Sequence, residues 1–162
     1  MTEKEMLIDR WNIEFQTTMR VFKAYPADKL DLRPAEKSRT ARELAWVLCA
    51  DEMMLMGAIA GNIDFSQPSP PPPSTMEELM SVFENIHKKN IKNLKKLSPA
   101  QFKRKVKFPV APRKMGTVPA NALCWLTVFD HVHHRGQFSI YLRIAGGKLP
   151  SIYGPTADEP WN

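Results

Sequence analysis

Apolar side chains recur at spacings of three and four through four stretches of the chain, the period of a helix that buries one face. In the first stretch the stripe is Leu7, Trp11, Phe15, Thr18, Val21 and Phe22, which predicts a helix from Glu3 to Tyr25, ended by Pro26. A second is predicted from near Thr40 to about Ala60, with Glu43 at the capping-box distance from Thr40 and Gly61 to stop it. Its stripe is Leu44, Val47, Leu48, Leu55 and Ala58. Asp51 follows Val47 by one turn and Glu52 follows Leu48 by one turn, so either carboxylate can face the interior, although the surface is the ordinary place for each. Ser74 and Thr75, followed by Glu77 and Glu78, open a third helix that runs to about Leu97. Leu79, Val82, Phe83, Ile86, Ile91 and Leu94 are its core positions, and His87, amid lysines, is expected at the surface.

Between these helices, residues 27–38 read as an ordered connector, and residues 62–75 as a loop stiffened by Pro68 and the run Pro70 to Pro73. Residues 98–119 form a further connector in which Val106, Phe108 and Val110 alternate as in a short extended segment. The last helix is predicted from Ala120 to Ile144, stopped by Gly146 and Gly147, and the proline-rich tail after it is irregular. Four long amphipathic helices predict an all-α fold. The expected form is an antiparallel four-helix bundle in one domain over residues 1–162, with a long second-to-third helix connection and an irregular C-terminal tail.

The last helix carries the candidate chemistry. Leu123, Leu126, Asp130, His134, Gln137, Tyr141 and Ile144 fall on one side of it, apolar at both ends and polar in the middle. Burying such a belt costs several kcal/mol, roughly, unless each group finds a partner, so it implies hydrogen bonds, a metal or a water-filled pocket. Asp130 and His134 are one turn apart, close enough to pair with each other, the commoner outcome, or to ligate one cation. His133 is expected to pack or face solvent, and His131 with Arg135 to form a solvated or interface-facing pair. Bundles build their sites between facing helices.

Hydrophobic residues at 43% and charged residues at 25% are ordinary globular values and do not fit a disordered chain. No stretch is long and apolar enough to span a bilayer and no signal pattern opens the chain, so a cytoplasmic location is expected. Cys49 and Cys124 sit in apolar helical segments as small hydrophobes, without the spacing of a zinc finger. The formal charge of +6 is uneven: residues 85–114 hold eleven lysines and arginines and no acid, which leaves −5 for the remainder. A solvated lysine-rich face explains this better than nucleic-acid binding, since no interleaved aromatics accompany it.

The run His133-His134-Arg135-Gly136-Gln137, then Tyr141-Leu142-Arg143, Gly146-Gly147-Lys148-Leu149-Pro150 and Ile152-Tyr153-Gly154-Pro155, resembles the end of the DinB family of helical-bundle proteins. The resemblance extends over essentially the whole chain, including Glu43-Leu44-Ala45 and Glu52. This family includes bacterial thiol S-transferases and hydrolases taken to be metal-dependent. Its members often hold nickel or zinc with three histidines, one on the second helix and two at i, i+4 on the fourth. Matching the HRGQ run keeps the last ligand at His134, puts Asp130 where the other fourth-helix histidine is expected, and aligns Val47 with the second-helix histidine. A set of Asp51, Asp130 and His134 would suit a harder ion such as manganese or iron.

The resemblance therefore implies a metal-dependent thiol S-transferase or hydrolase acting on a small electrophile, with a low-molecular-weight thiol as one candidate partner. Val47, Glu52, His133, Gln137 and Tyr141 are the expected pocket lining. The alternative is a non-catalytic, metal-free bundle that binds a small molecule or protein partner, with Asp130 hydrogen-bonded to His134. A homodimer is expected from the resemblance and from the second apolar face at Trp125, Phe129 and Val132.

Overall fold

The computed structural model describes residues 1–66 and 68–161. Four long helices dominate it: α1 (Glu3–Ala24), α2 (Ala41–Ala60), α3 (Met76–Lys96) and, after a short α4 (Pro99–Phe102) and a hairpin of β1 (Lys105–Ala111) and β2 (Lys114–Pro119), α5 (Ala120–Ile144). The first four helices each begin with a capping box, Thr2/Glu5, Thr40/Glu43, Thr75/Glu78 and Ser98/Gln101, which satisfies two otherwise orphaned N–H groups at each start. Gly61 ends α2 at φ +80°, a left-handed conformation that glycine adopts without a Cβ penalty. The hairpin departs from an all-α fold: the alternation at Val106, Phe108 and Val110 continues into a paired second strand, with Val106 opposite Val118. Among the described residues, no helix is long and apolar enough to cross a membrane.

Helix α2 packs against α5 and α3, and α1 packs against the same two, so α1 and α2 lie diagonally across the bundle. Contacts along the helices fix their directions. Asn121 meets Glu3 and Arg135 meets Glu14, so α5 runs parallel to its neighbour α1. Cys49 meets Leu79, and Asn90 donates to the Glu52 carbonyl, so α3 runs parallel to α2. Tyr141 reaches back to Arg39, so α5 opposes α2. The expected arrangement with every neighbour antiparallel is thus corrected: two neighbouring pairs are parallel. The physical reason is the proline-rich connection. To start α3 at the same end as α2, the chain must return along the length of α2, and a stiff extended segment rising about 3.1 Å per residue does this. The Trp46 indole N–H fastens that segment by donating to the Pro70 carbonyl at 2.8 Å.

The interior has two apolar clusters. One, at the Tyr25 end, includes Phe22, Leu48, Phe83, Phe138 and Leu142; the other, at the hairpin end, includes Leu7, Trp11, Leu55, Leu94, Leu123 and Val128. Both cysteines are free and buried, one in each. Between the clusters lies a polar layer of Glu14, Thr18, Asp51, Glu52, His87, Asn90, His131 and Arg135, all buried.

Candidate metal centre

The face of α5 that enters this layer is not the one the pattern predicted. Leu123, Thr127, His131, Arg135, Phe138 and Leu142 are buried, whereas Leu126 and Ile144 are about half exposed. Helix α5 is apolar on most of its circumference, so two stripes have helical spacing and only packing against α1 and α2 selects between them. His131 and Arg135, expected at the surface, are each 1% exposed. Asp130 and His134 lie at the edge of the buried face, where α5 meets α2 and where Asp51 comes from the opposite side.

Asp51, Asp130 and His134 each place a donor atom within 4.8 Å of the other two. The Nδ1 of His134 is 3.8 Å from Oδ2 of Asp51 and 3.8 Å from Oδ2 of Asp130. These spacings are too long for hydrogen bonds. Donors bound at about 2.0–2.2 Å to one ion sit roughly 3–4 Å apart, so small side-chain rotations would bring the set into coordination range. Side-chain exposure falls from 46% at Asp130 through 15% at His134 to 4% at Asp51, which leaves the cluster open on one side. Asp51 Oδ2, His134 Nδ1 and His131 Nδ1 are buried and lack hydrogen-bond partners, although buried polar atoms are nearly always paired. A cation is one partner that would satisfy the first two, so the residues present fit a divalent ion. The Asp51 carboxylate facing the ring, with Asp130 beside it, raises the His134 pKa above the ordinary imidazole value against the opposing effect of partial burial and of Arg39.

Behind Asp51 a chain of polar groups crosses the bundle. His131 Nδ1 lies 3.4 Å from Asp51 Oδ2, and its Nε2 lies 2.7 Å from the Thr18 hydroxyl. That hydroxyl accepts weakly from Arg135 at 3.4 Å, and with two lone pairs and one proton it can meet His131 Nε2 in either tautomer. Arg135 in turn pairs with Glu14 at 2.7 Å, and the Tyr153 hydroxyl from the C-terminal tail touches both. None of Glu14, Thr18, His131, Arg135 or Tyr153 stands in the ligand set read from the sequence. The signal for Glu14 was its place three residues after Trp11 and four before Thr18, on the buried face of α1.

The remaining expected residues divide. Val47, Gln137 and Tyr141 line an open cavity of about 1040 Å³ that begins one turn from Asp51 on α2 and from His134 on α5. Val47 offers it no donor atom. His133 is exposed, with its ring nitrogen 3.0 Å from the Gln137 amide, and does not line it. Glu52 is fully buried on the α3 side of α2. There it meets His87 Nδ1 at 2.8 Å and accepts from Asn90. His87 is therefore 4% exposed instead of solvated: its place four residues after Phe83 and seven before Leu94 outweighs its lysine neighbours.

The DinB family model matches residues 1–161. The Bacillus subtilis protein YrdA is 23% identical over 155 residues, spanning 92% of this chain and 87% of that one. A DinB-like protein from Bacillus cereus has a similar crystal structure, with a TM-score of 0.78 at 16% identity over 92% of this chain and 97% of that one. So does YfiT from Bacillus subtilis, described as a probable metal-dependent hydrolase with an unusual four-helix bundle topology, with a TM-score of 0.65 at 18% identity over 88% and 87%. With the family model covering nearly every residue and these structures sharing its helical frame, the chain belongs to the DinB family.

Proposed function

We propose that this protein is a metal-dependent hydrolase or thiol transferase acting on a small electrophile, with Asp51, Asp130 and His134 as the ligands of one divalent ion. The observation that carries this reading is the convergence of two carboxylates and an imidazole from α2 and α5 around buried, unpartnered donor atoms. The description of YfiT as a probable metal-dependent hydrolase supports it at the level of the family. Two oxygen donors and one nitrogen favour a harder ion, manganese or iron, over nickel or zinc. When bound, such an ion supplies Lewis acidity, polarising an electrophile and lowering the pKa of a coordinated water or thiol.

The protein's own residues set the conditions for that chemistry. Asp51, almost wholly buried, lies 3.4 Å from His131, whereas Asp130 on the exposed side has room to adjust as substrate enters. Gln137 and Tyr141 give the adjoining cavity polar groups, and Val47 gives it an apolar wall. The stacked Trp125 and Phe129, the latter 65% exposed, offer a face that a second copy would cover.

Elemental analysis of protein purified without an affinity tag tests the reading. One equivalent of transition metal is expected, together with consumption of a model electrophile in the presence of a low-molecular-weight thiol or water. The double variant Asp130→Ala, His134→Ala should lose both, and unchanged turnover in it would exclude the site. A metal-free binding module is the second reading, favoured by Val47, which places an aliphatic side chain where relatives are expected to carry a ligand. Metal-free protein that remains inert after loading with manganese, iron, nickel or zinc would select it.

A further inference from the structure

The cavity beside the candidate metal centre has a charge distribution that the three-ligand set does not explain. The segment before α2 contributes Arg33, Lys37 and Arg39 to its lining. Glu43 is the one carboxylate in that lining among the described residues, and it is already engaged: it accepts from the Thr40 N–H at 2.7 Å and pairs with Arg33 at 3.6 Å. Lys37 and Arg39 have no carboxylate partner among the described residues.

The segment is also fastened, which distinguishes it from an ordinary solvated loop. Arg33 donates to the Ser38 carbonyl at 2.8 Å, Tyr141 donates to the Arg39 carbonyl at 2.9 Å, and backbone bonds join Ala41 to Leu32 and Arg42 to Leu30. Two cations are thereby presented in the lining on a backbone held from both sides, which reduces the ordering a ligand would have to impose. Leu44, Trp46 and Ile140 give the lining an apolar part. A donor set of two carboxylates and one imidazole would neutralise a divalent ion, so attraction of an anion to this region falls to Lys37 and Arg39.

We propose that this cavity is a subsite for a small organic anion, a carboxylate or phosphoryl group on an apolar body, with Lys37 and Arg39 binding the charge and the apolar part of the lining taking the body. It rests on the function proposed above in that the anion would be the non-reacting part of that site's substrate. Anion binding itself needs no metal.

The indole N–H resonance of Trp46 provides the readout. Benzoate and phenylphosphonate, with neutral benzamide as control, are titrated into chelator-treated protein. Saturable shifts are expected with one or both anions and not with benzamide, and which anion binds more tightly separates carboxylate from phosphoryl recognition. The double variant Lys37→Ala, Arg39→Ala removes exposed side chains and should weaken binding about tenfold or more. Because the titration is made on chelator-treated protein, failure of the metal reading would leave this result standing. Equal binding of benzamide, absence of binding by both anions, or unchanged affinity in the Lys37, Arg39 variant would each overturn the proposal.

Discussion

The Nε2 of His131 lies 2.7 Å from the hydroxyl of Thr18, a contact that joins α5 to α1 at the middle of the bundle. Because Thr18 also meets Arg135, it ties the imidazole beside Asp51 to the Arg135 and Glu14 pair. Replacing Thr18 with valine keeps the shape and removes the partner. Leaving a buried imidazole nitrogen unpaired should cost about 1–3 kcal/mol. If His131 orients Asp51 as a ligand, metal affinity should also fall about tenfold. Thermal unfolding and calorimetric metal titration check the two effects separately, and wild-type affinity in Thr18→Val would show that His131 does not act on Asp51.

Glu52 and His87 form a second buried polar pair, with His87 stacked on Phe15 at 3.9 Å between ring centroids and its Nε2 3.0 Å from the Asn12 amide oxygen. The Asn12 amide donates to the Ile8 carbonyl, so its oxygen must accept, and His87 Nε2 carries a proton. Glu52→Leu or His87→Leu alone leaves a polar group unpaired in the core and should cost about 3–5 kcal/mol. The double variant should cost clearly less than the sum, since neither Glu52 nor His87 is then left in the core without the other. Urea unfolding of the three variants measures this, and strict additivity would count against the pairing.

Protonation of His134 should couple to stability with a definite sign. Its folded pKa is raised by Asp51, so in metal-free protein its stabilising contribution is fully present below the unfolded value, about 6.5. It is lost as pH rises through the higher folded value. A bound metal requires the neutral ring and reverses the trend, with affinity increasing over the same interval. The stability difference between the protein and His134→Gln, followed from acid to mildly alkaline pH with and without metal, reports both. A difference that does not vary with pH would mean that the two carboxylates do not act on this ring.

The tail is held to the bundle by Tyr153, whose hydroxyl donates to Glu14 at 2.7 Å and lies 2.6 Å from Arg135. Tyr153→Phe should cost about 1–2 kcal/mol and increase hydrogen exchange in residues 150–161 while leaving α2 and α3 protected. Unchanged exchange in the tail would assign its docking to its other contacts, among them the Arg20 guanidinium donating to the Ser151 carbonyl at 3.1 Å and the Arg143–Asp158 pair.

Local signals were the legible ones. The capping boxes at Thr40 and Thr75 and the glycine after Ala60 mark α2 and the start of α3 because the groups that satisfy those ends are three or four residues away. Asp130 and His134 were likewise a local pair, and Asp51 was reachable from its place on α2. The rotation of α5 was not legible, since Leu126 and Ile144 fit a helical stripe as well as His131 and Arg135 do. Which stripe is buried depends on Glu14 and Thr18, more than a hundred residues earlier in the chain. The parallel pairing of α2 with α3 was hidden for a related reason: the prolines indicate a stiff connection but not the direction it takes.

The burial of Cys49 and Cys124 has a chemical consequence. Exclusion from water raises both thiol pKa values, that of Cys124 to about 12, and the carboxylates of Glu52 and Asp51 raise Cys49 further. At neutral pH neither sulfur is a useful nucleophile. Any thiolate taking part in group transfer would therefore have to be delivered from solution as a co-substrate. An electrophile entering the open cleft therefore meets no thiol of the protein's own.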